Sequence, residues 1–104
     1  MIDFLRGRVA YVGEDFVVID VGGVGYRVFC PNPFEFQPKA GEESPVTVYV
    51  HYHVREDAHL LYGFASREEQ ALFRRLLEVS GIGPKVALSA LSGADPKALA
   101  AAIR

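Results

Sequence analysis

The sequence predicts an α+β chain, mainly β in its first half and α in its second: a small closed barrel over residues 1–64, then a helical unit over residues 65–104. Three observations predict it. About five β-branched and aromatic runs succeed one another at short spacing up to Phe64. Beyond Phe64 the apolar residues recur at intervals of three and four. Between the two regimes, Ser66 and Glu69 have the Ser-x-x-Glu spacing of a helix-opening capping box.

The elements follow in order. "LRGRVAYV" at 5–12 reads as a strand, and "GED" at 13–15 as the turn that ends it. "FVVID" and "YRVFC" are strands joined through "VGGVG", whose glycines suit a hairpin turn. "PNPFEFQPKAGEESP" is proline-rich and is expected to be a long loop with a short helical turn. "VTVYVHYHV" at 46–54 and "HLLYGF" at 59–64 are two further strands, with the acidic turn "REDA" between them. A first helix then carries Leu72, Phe73, Leu76 and Leu77 on one face, with Arg67, Arg74, Arg75 and Glu78 outside that stripe. A second helix opens at Pro84, turns Val86, Ala87, Ala90 and Leu91 inward and ends at Gly93. Asp95 and Pro96 open a third, with Leu99 and Ile103 on one side.

Composition narrows the class. The chain has 104 residues, half of them hydrophobic and 23% charged, which describes a globular protein able to bury a modest core. Cys30 is the single cysteine, so no internal disulfide is expected, which suits a reducing cytoplasm. No apolar run approaches the roughly 18 residues of a membrane span, and no charged-then-apolar leader opens the chain, so a soluble, cytoplasmic protein is expected. The net charge of −2 argues against a basic wrapper of nucleic acid. That average hides an asymmetry: residues 1–65 carry five cations against nine carboxylates, and residues 66–104 six cations against four.

The most informative stretch is "SGIGPK" at 80–85. A plain turn needs one glycine; here Gly81 and Gly83 flank Ile82, and a proline and a cation follow. Pro84 fits the first turn of a helix, which leaves the backbone donors of Gly83, Lys85 and Val86 pointing out of the helix start. Such a helix start attracts anions through its free donors and its dipole. Glycine permits positive φ and removes the Cβ that would hold a phosphate away. Ile82 can tuck inward and pin the turn, and Lys85 adds a mobile charge. The segment therefore reads as backbone built to touch phosphate, which implies binding that is independent of base sequence and sensitive to salt. A tight turn between packed helices, with Lys85 merely solvated, is the plainer alternative.

This stretch resembles the helix-hairpin-helix motif of DNA-binding proteins. The resemblance widens, because "LRGRV", "VGGVGY" at 21–26, "VREDAHLLYGF" at 54–64 and "SGIGPKVALSALSG" at 80–93 stand in order and look like the RuvA family. That resemblance implies an oligonucleotide-binding-type barrel (OB-type) followed by a helix-hairpin-helix domain, of which 65–104 would hold the first hairpin only. It implies the DNA-binding subunit of the bacterial Holliday junction branch migration complex, acting in recombination, repair and the SOS response. It further implies a homotetramer that holds a four-way DNA junction open, and the RuvB motor ATPase as partner, recruited through a C-terminal domain that this sequence lacks. Gly81, Ile82, Gly83, Lys85 and Val86 fall on the family's phosphate-binding hairpin. Glu56 and Asp57 fall on its acidic pin, and Arg55 beside them is a candidate auxiliary DNA contact. In four copies around an axis, those carboxylates would repel phosphates from the junction centre and steer the strands into four arms. Taken alone, an acidic turn tip needs no more than solubility to explain it.

No catalytic residue set, metal or cofactor is expected. His51, His53, Asp57 and His59 faintly resemble the ligands of a metallo-β-lactamase-like hydrolase, but Asp57 stands four residues after His53 where that pattern has two. Glu56 and Asp57 lack the further acids of a two-metal nuclease. "VGGVGY" lacks G-x-G-x-x-G spacing. Tyr62 and Phe64 could stack on bases, though a place in the barrel core suits them better. A general duplex-binding hairpin protein and a pure protein-interaction module remain as alternatives.

Overall fold

A computed structural model describes residues 1–38 and 45–92. Five strands, β1 (Phe4–Val12), β2 (Phe16–Val21), β3 (Val24–Phe29), β4 (Val46–Val54) and β5 (His59–Phe64), close into a barrel in the order β1-β2-β3-β5-β4. Every pairing is antiparallel except the closing contact of β3 with β5, centred on Phe29 and Tyr62. The proline-rich segment contributes the expected short helical turn, a 3-10 helix at Pro33–Phe36. Two helices follow, α1 (Arg67–Glu78) and α2 (Pro84–Ser92). The third helix expected from Asp95 and Pro96, with Leu99 and Ile103, and the stop at Gly93 lie outside the described residues.

Local chemistry explains each junction. Gly22 and Gly23 both take positive φ, 61° and 94°, which is the two-residue hairpin turn that matches strand twist; Val21 and Val24 pair across it. Ser66 caps α1, its hydroxyl accepting from the Glu69 amide at 3.2 Å. The β4–β5 turn is closed by the Arg55 amide donating to the Ala58 carbonyl at 2.8 Å.

Strand alternation divides the apolar residues between two cores. Leu5, Val17, Ile19, Val28, Val48, Val50 and Leu61 point into the barrel and fill it. Tyr62 and Phe64, on β5, point outward and are buried with Leu72, Phe73, Leu76, Ala87 and Leu91 of the helices. The expectation that they fill the barrel core is corrected: alternation along β5 turns them outward, and they are buried in the helix–barrel seam instead. Phe73 sits at its centre, 4.9 Å from Phe64 and 5.3 Å from Tyr62 between ring centroids. Cys30 is buried, and that burial pushes its thiol up to about 12, far from a reactive thiolate.

One expected facing is corrected. Val86 is 56% exposed and does not point inward. Ala87 and Leu91, one helical turn apart, form the buried line of α2, and Leu88 and Ala90 flank it. At 100° per residue Val86 falls on the solvent side of Ala87.

A buried polar clamp accompanies the apolar seam. Gln70 is 2% exposed and lies between α1 and the barrel. Its amide nitrogen donates to the carbonyls of Val50 at 2.8 Å and Asp3 at 3.0 Å, and its amide oxygen accepts from Arg67 at 3.0 Å. Arg67 reaches both carboxylate oxygens of Asp3, Nη1 to Oδ1 at 2.7 Å, and lies over the Tyr49 ring at 4.8 Å. The Arg67 hydrogen bond holds the Asp3 carboxyl below its ordinary range. We expect Gln70→Leu, which removes three hydrogen bonds from the buried seam, to destabilise the chain by about 1–3 kcal/mol. Urea unfolding measures this, and an unchanged midpoint would contradict the clamp.

Candidate nucleic-acid interface

The α1–α2 connection is built as a tight reversal. The Val79 amide donates to the Leu76 carbonyl at 3.1 Å, and the Ile82 amide to the Val79 carbonyl at 3.2 Å. Gly81 makes the turn with φ +85°, a conformation that an L side chain resists. Ile82 is half-buried against the seam and anchors the loop there. The Ala87 amide donates to the Gly83 carbonyl at 3.0 Å, the first bond of α2, so Gly83 is its N-cap and Pro84 its first residue.

That accounting leaves three amides over. Gly83, Lys85 and Val86 have no backbone partner among the described residues, and all three residues are exposed. The Ile82 amide, by contrast, is occupied inside the turn. Gly83 has ordinary φ, and a Cβ placed on it would meet nothing within 4 Å. Neither backbone conformation nor internal packing therefore requires glycine there; its missing side chain faces open space in front of the free amides. Lys85 makes no ion pair with any described residue. It lines a groove of about 360 Å3 that is also bordered by Glu14, Asp15, Cys30 and Ser92. Chemically this is an open helix start with three donors, a positive dipole end and one cation, able to seat a phosphate group.

Glu56 and Asp57 occupy the exposed tip of the β4–β5 turn. Asp57 stands 3.8 Å from Arg55, with both side chains largely in water, a weak pairing that leaves the tip acidic. Arg55 is thus at the tip itself, between strand and turn.

The histidines do not converge. His51 and His53 share the outer face of β4 and stack against α1 and β5: His51 is 5.5 Å from Phe73, and His53 6.0 Å from Tyr62. His59 pairs with Val54, hence points to the opposite face, and its Nδ1 meets the Tyr52 hydroxyl at 2.5 Å. Burial, with help from Arg74 and His53, lowers the His51 pKa by disfavouring the charged ring. Among the described residues no group of three or more His, Cys, Asp or Glu side chains has a metal-holding arrangement. Among them, too, no helix is long and apolar enough to cross a membrane.

With this geometry in view, comparison with known proteins identifies the lineage. Residues 1–63 match the family model described as the RuvA N terminal domain. The chain belongs to the RuvA family. It is 51% identical over 104 residues to the Holliday junction branch migration complex subunit RuvA of Brevibacillus brevis, covering 100% of this chain and 50% of that protein. It is 52% identical over 103 residues to the protein of that name from Geobacillus sp. strain WCH70, covering 99% and 50%. The RuvA of Exiguobacterium sibiricum is also 52% identical, covering 99% and 51%. The chain spans about half the length of the curated relatives it matches.

Sequence reasoning overlooked Gln70, although it falls three residues before Phe73, on the apolar stripe, where a polar residue is itself a signal. The two glycines of the turn should separate experimentally. We expect Gly81→Ala to cost about 1–2 kcal/mol through its left-handed backbone, and Gly83→Ala, which weakens an N-cap without backbone strain, to cost less, about 0.5 kcal/mol. Thermal denaturation of both variants checks this pair.

Proposed function

We propose that this chain binds four-way DNA junctions without regard to base sequence, as a scaffold of the Holliday junction branch migration complex in recombination and repair. The observation that carries the reading is the set of unpartnered, exposed amides at Gly83, Lys85 and Val86, beside a glycine whose empty flank the fold itself does not need. Phosphate enters there on backbone donors, with Gly81 shaping the approach, Ile82 anchoring it and Lys85 supplying charge. Such contacts ignore base identity and release counterions.

Glu56 and Asp57 act by repulsion. In a homotetramer their tips gather at the junction centre and hold phosphates off, while the hairpins farther out draw the arms in. Arg55 contacts DNA at the edge of that tip. The chain is not itself an enzyme: the RuvB motor ATPase supplies the work, in the cytoplasm, and the scaffold presents the junction to it. Family membership and the names of the relatives support this assignment.

Two measurements test it. Lys85→Ala should weaken binding to junction and duplex alike and lower the slope of log affinity against log salt by about one; an unchanged slope would take Lys85 off the DNA. Glu56→Gln combined with Asp57→Asn should raise duplex affinity and narrow the preference for a four-way junction over linear DNA. Gel shifts on both substrates read that ratio, and a preserved ratio would remove the pin from the account. Equal affinity of the unaltered chain for the two substrates would favour a general duplex binder.

A further inference from the structure

Beside the clamp at Gln70, a second polar contact ties α1 to β4, and one of its partners is a titratable ring. His51 pairs with Tyr62 across the ladder and is half-buried beneath α1, 5.5 Å from Phe73 and 5.8 Å from His53 between ring centroids. Arg74 comes down from α1 one helical turn beyond Gln70. Its Nε–H donates to His51 Nδ1 at 3.4 Å, and its Nη2 donates to the Val50 carbonyl at 3.4 Å. The same carbonyl receives the Gln70 amide. A guanidinium can only donate, so the accepting Nδ1 carries no proton. The contact therefore exists only while the imidazole is neutral.

The surroundings do nothing to welcome a second charge. From α1 the ring faces Arg74 and Phe73, along β4 it faces His53, and from β5 it faces Tyr62, a phenol whose burial raises its pKa further. On the side of β1 the acid is Asp3, and its carboxylate is gripped by Arg67. No described carboxylate pairs with His51. A proton on Nδ1 would delete the hydrogen bond and set imidazolium against guanidinium across the same 3.4 Å. Burial opposes that charge as well. The place of the contact matters. Arg74 lies four residues before Glu78, where α1 ends, and the hairpin follows at once, tied into that last turn by the Val79 amide on the Leu76 carbonyl.

We propose that His51 and Arg74 form a proton-operated latch between β4 and α1, closed while His51 is neutral and open once it is charged, and that its opening frees the last turns of α1 together with the hairpin. Gln70 holds the helix upstream, so the opening is local. Because the folded ring takes up a proton less readily than the unfolded chain does, the latch contributes in full above about pH 6.5. Its contribution is lost as pH falls below that value toward the folded midpoint. The consequence for DNA rests on the proposed reading of the hairpin as the seat of a phosphate; the latch itself does not. Amides at a helix start grip an anion only while that start is held in place. Acid therefore weakens the grip, a sign opposite to what added positive charge alone produces.

The test compares the unaltered chain with Arg74→Gln and with His51→Phe, which keeps a ring against Phe73 but cannot titrate. Nuclear magnetic resonance of the imidazole protons should place the His51 midpoint below about 6.5, and Arg74→Gln should raise it. Amide hydrogen exchange, corrected for its intrinsic pH dependence, should quicken in peptides spanning 74–83 between about pH 7.5 and about pH 5.5. His51→Phe should show no such change. Over the same interval the unaltered chain should lose affinity for four-way DNA by about threefold to tenfold relative to His51→Phe, a tenfold loss matching one unit of midpoint. A His51 midpoint at or above that of a free imidazole would overturn the latch, and so would one that Arg74→Gln leaves unmoved. The same exchange profile in His51→Phe would overturn it too. Affinity that stays level while exchange responds would overturn the coupling to DNA if Lys85→Ala weakens binding. If Lys85→Ala has no effect either, the latch stands and the reading of the hairpin as the phosphate seat falls.

Discussion

The position of everything functional in this chain depends on how α1 is held against the barrel. The apolar part of that contact, Phe73 against Phe64 and Tyr62, excludes water but tolerates sliding. Gln70 removes the tolerance. Its amide meets the Val50 and Asp3 carbonyls at fixed distances while its oxygen orients Arg67, and Arg67 in turn grips Asp3. A buried polar group has one satisfied arrangement and many costly ones, so the pair of contacts acts as a register pin. The hairpin follows directly from the end of α1, and its orientation on the barrel is inherited from that seam.

In the proposed function, with the helix fixed, the chain separates attraction from repulsion in space. Attraction comes from backbone: the open amides of Gly83, Lys85 and Val86 cost no side-chain ordering when an anion arrives, because the helix has already oriented them. Repulsion comes from Glu56 and Asp57 at a hairpin tip, where two strands carry the charges out into solvent. An acidic first part and a mildly basic second part therefore belong to one reading, since a protein that sorts DNA by shape needs both signs of charge.

Legibility followed the range of the interactions concerned. β4 and β5 have the bounds read from "VTVYVHYHV" and "HLLYGF" because alternation and turn chemistry are local. The capping box at Ser66 and the start of α2 at Pro84 were readable for the same reason. The split of the histidines was only half visible: alternation put His51 and His53 together, but the side on which His59 lies followed from its pairing with Val54. Val86 was misplaced because a short helix with apolar residues on several sides can be rotated, and the rotation is set by what Ala87 and Leu91 meet.

The sequence by itself determined the order of elements, the change from strand to helix after Phe64, and a turn at 80–84 shaped by glycine and proline, since each rests on backbone preferences acting over a few residues. Tertiary structure alone decided that Gln70 would be buried, that Tyr62 and Phe64 would pack beneath helices instead of inside the barrel, and that a bulge would turn Tyr11 outward. These outcomes depend on which carbonyls remain unpaired and which faces are covered once distant strands have met, quantities that no local window of residues contains.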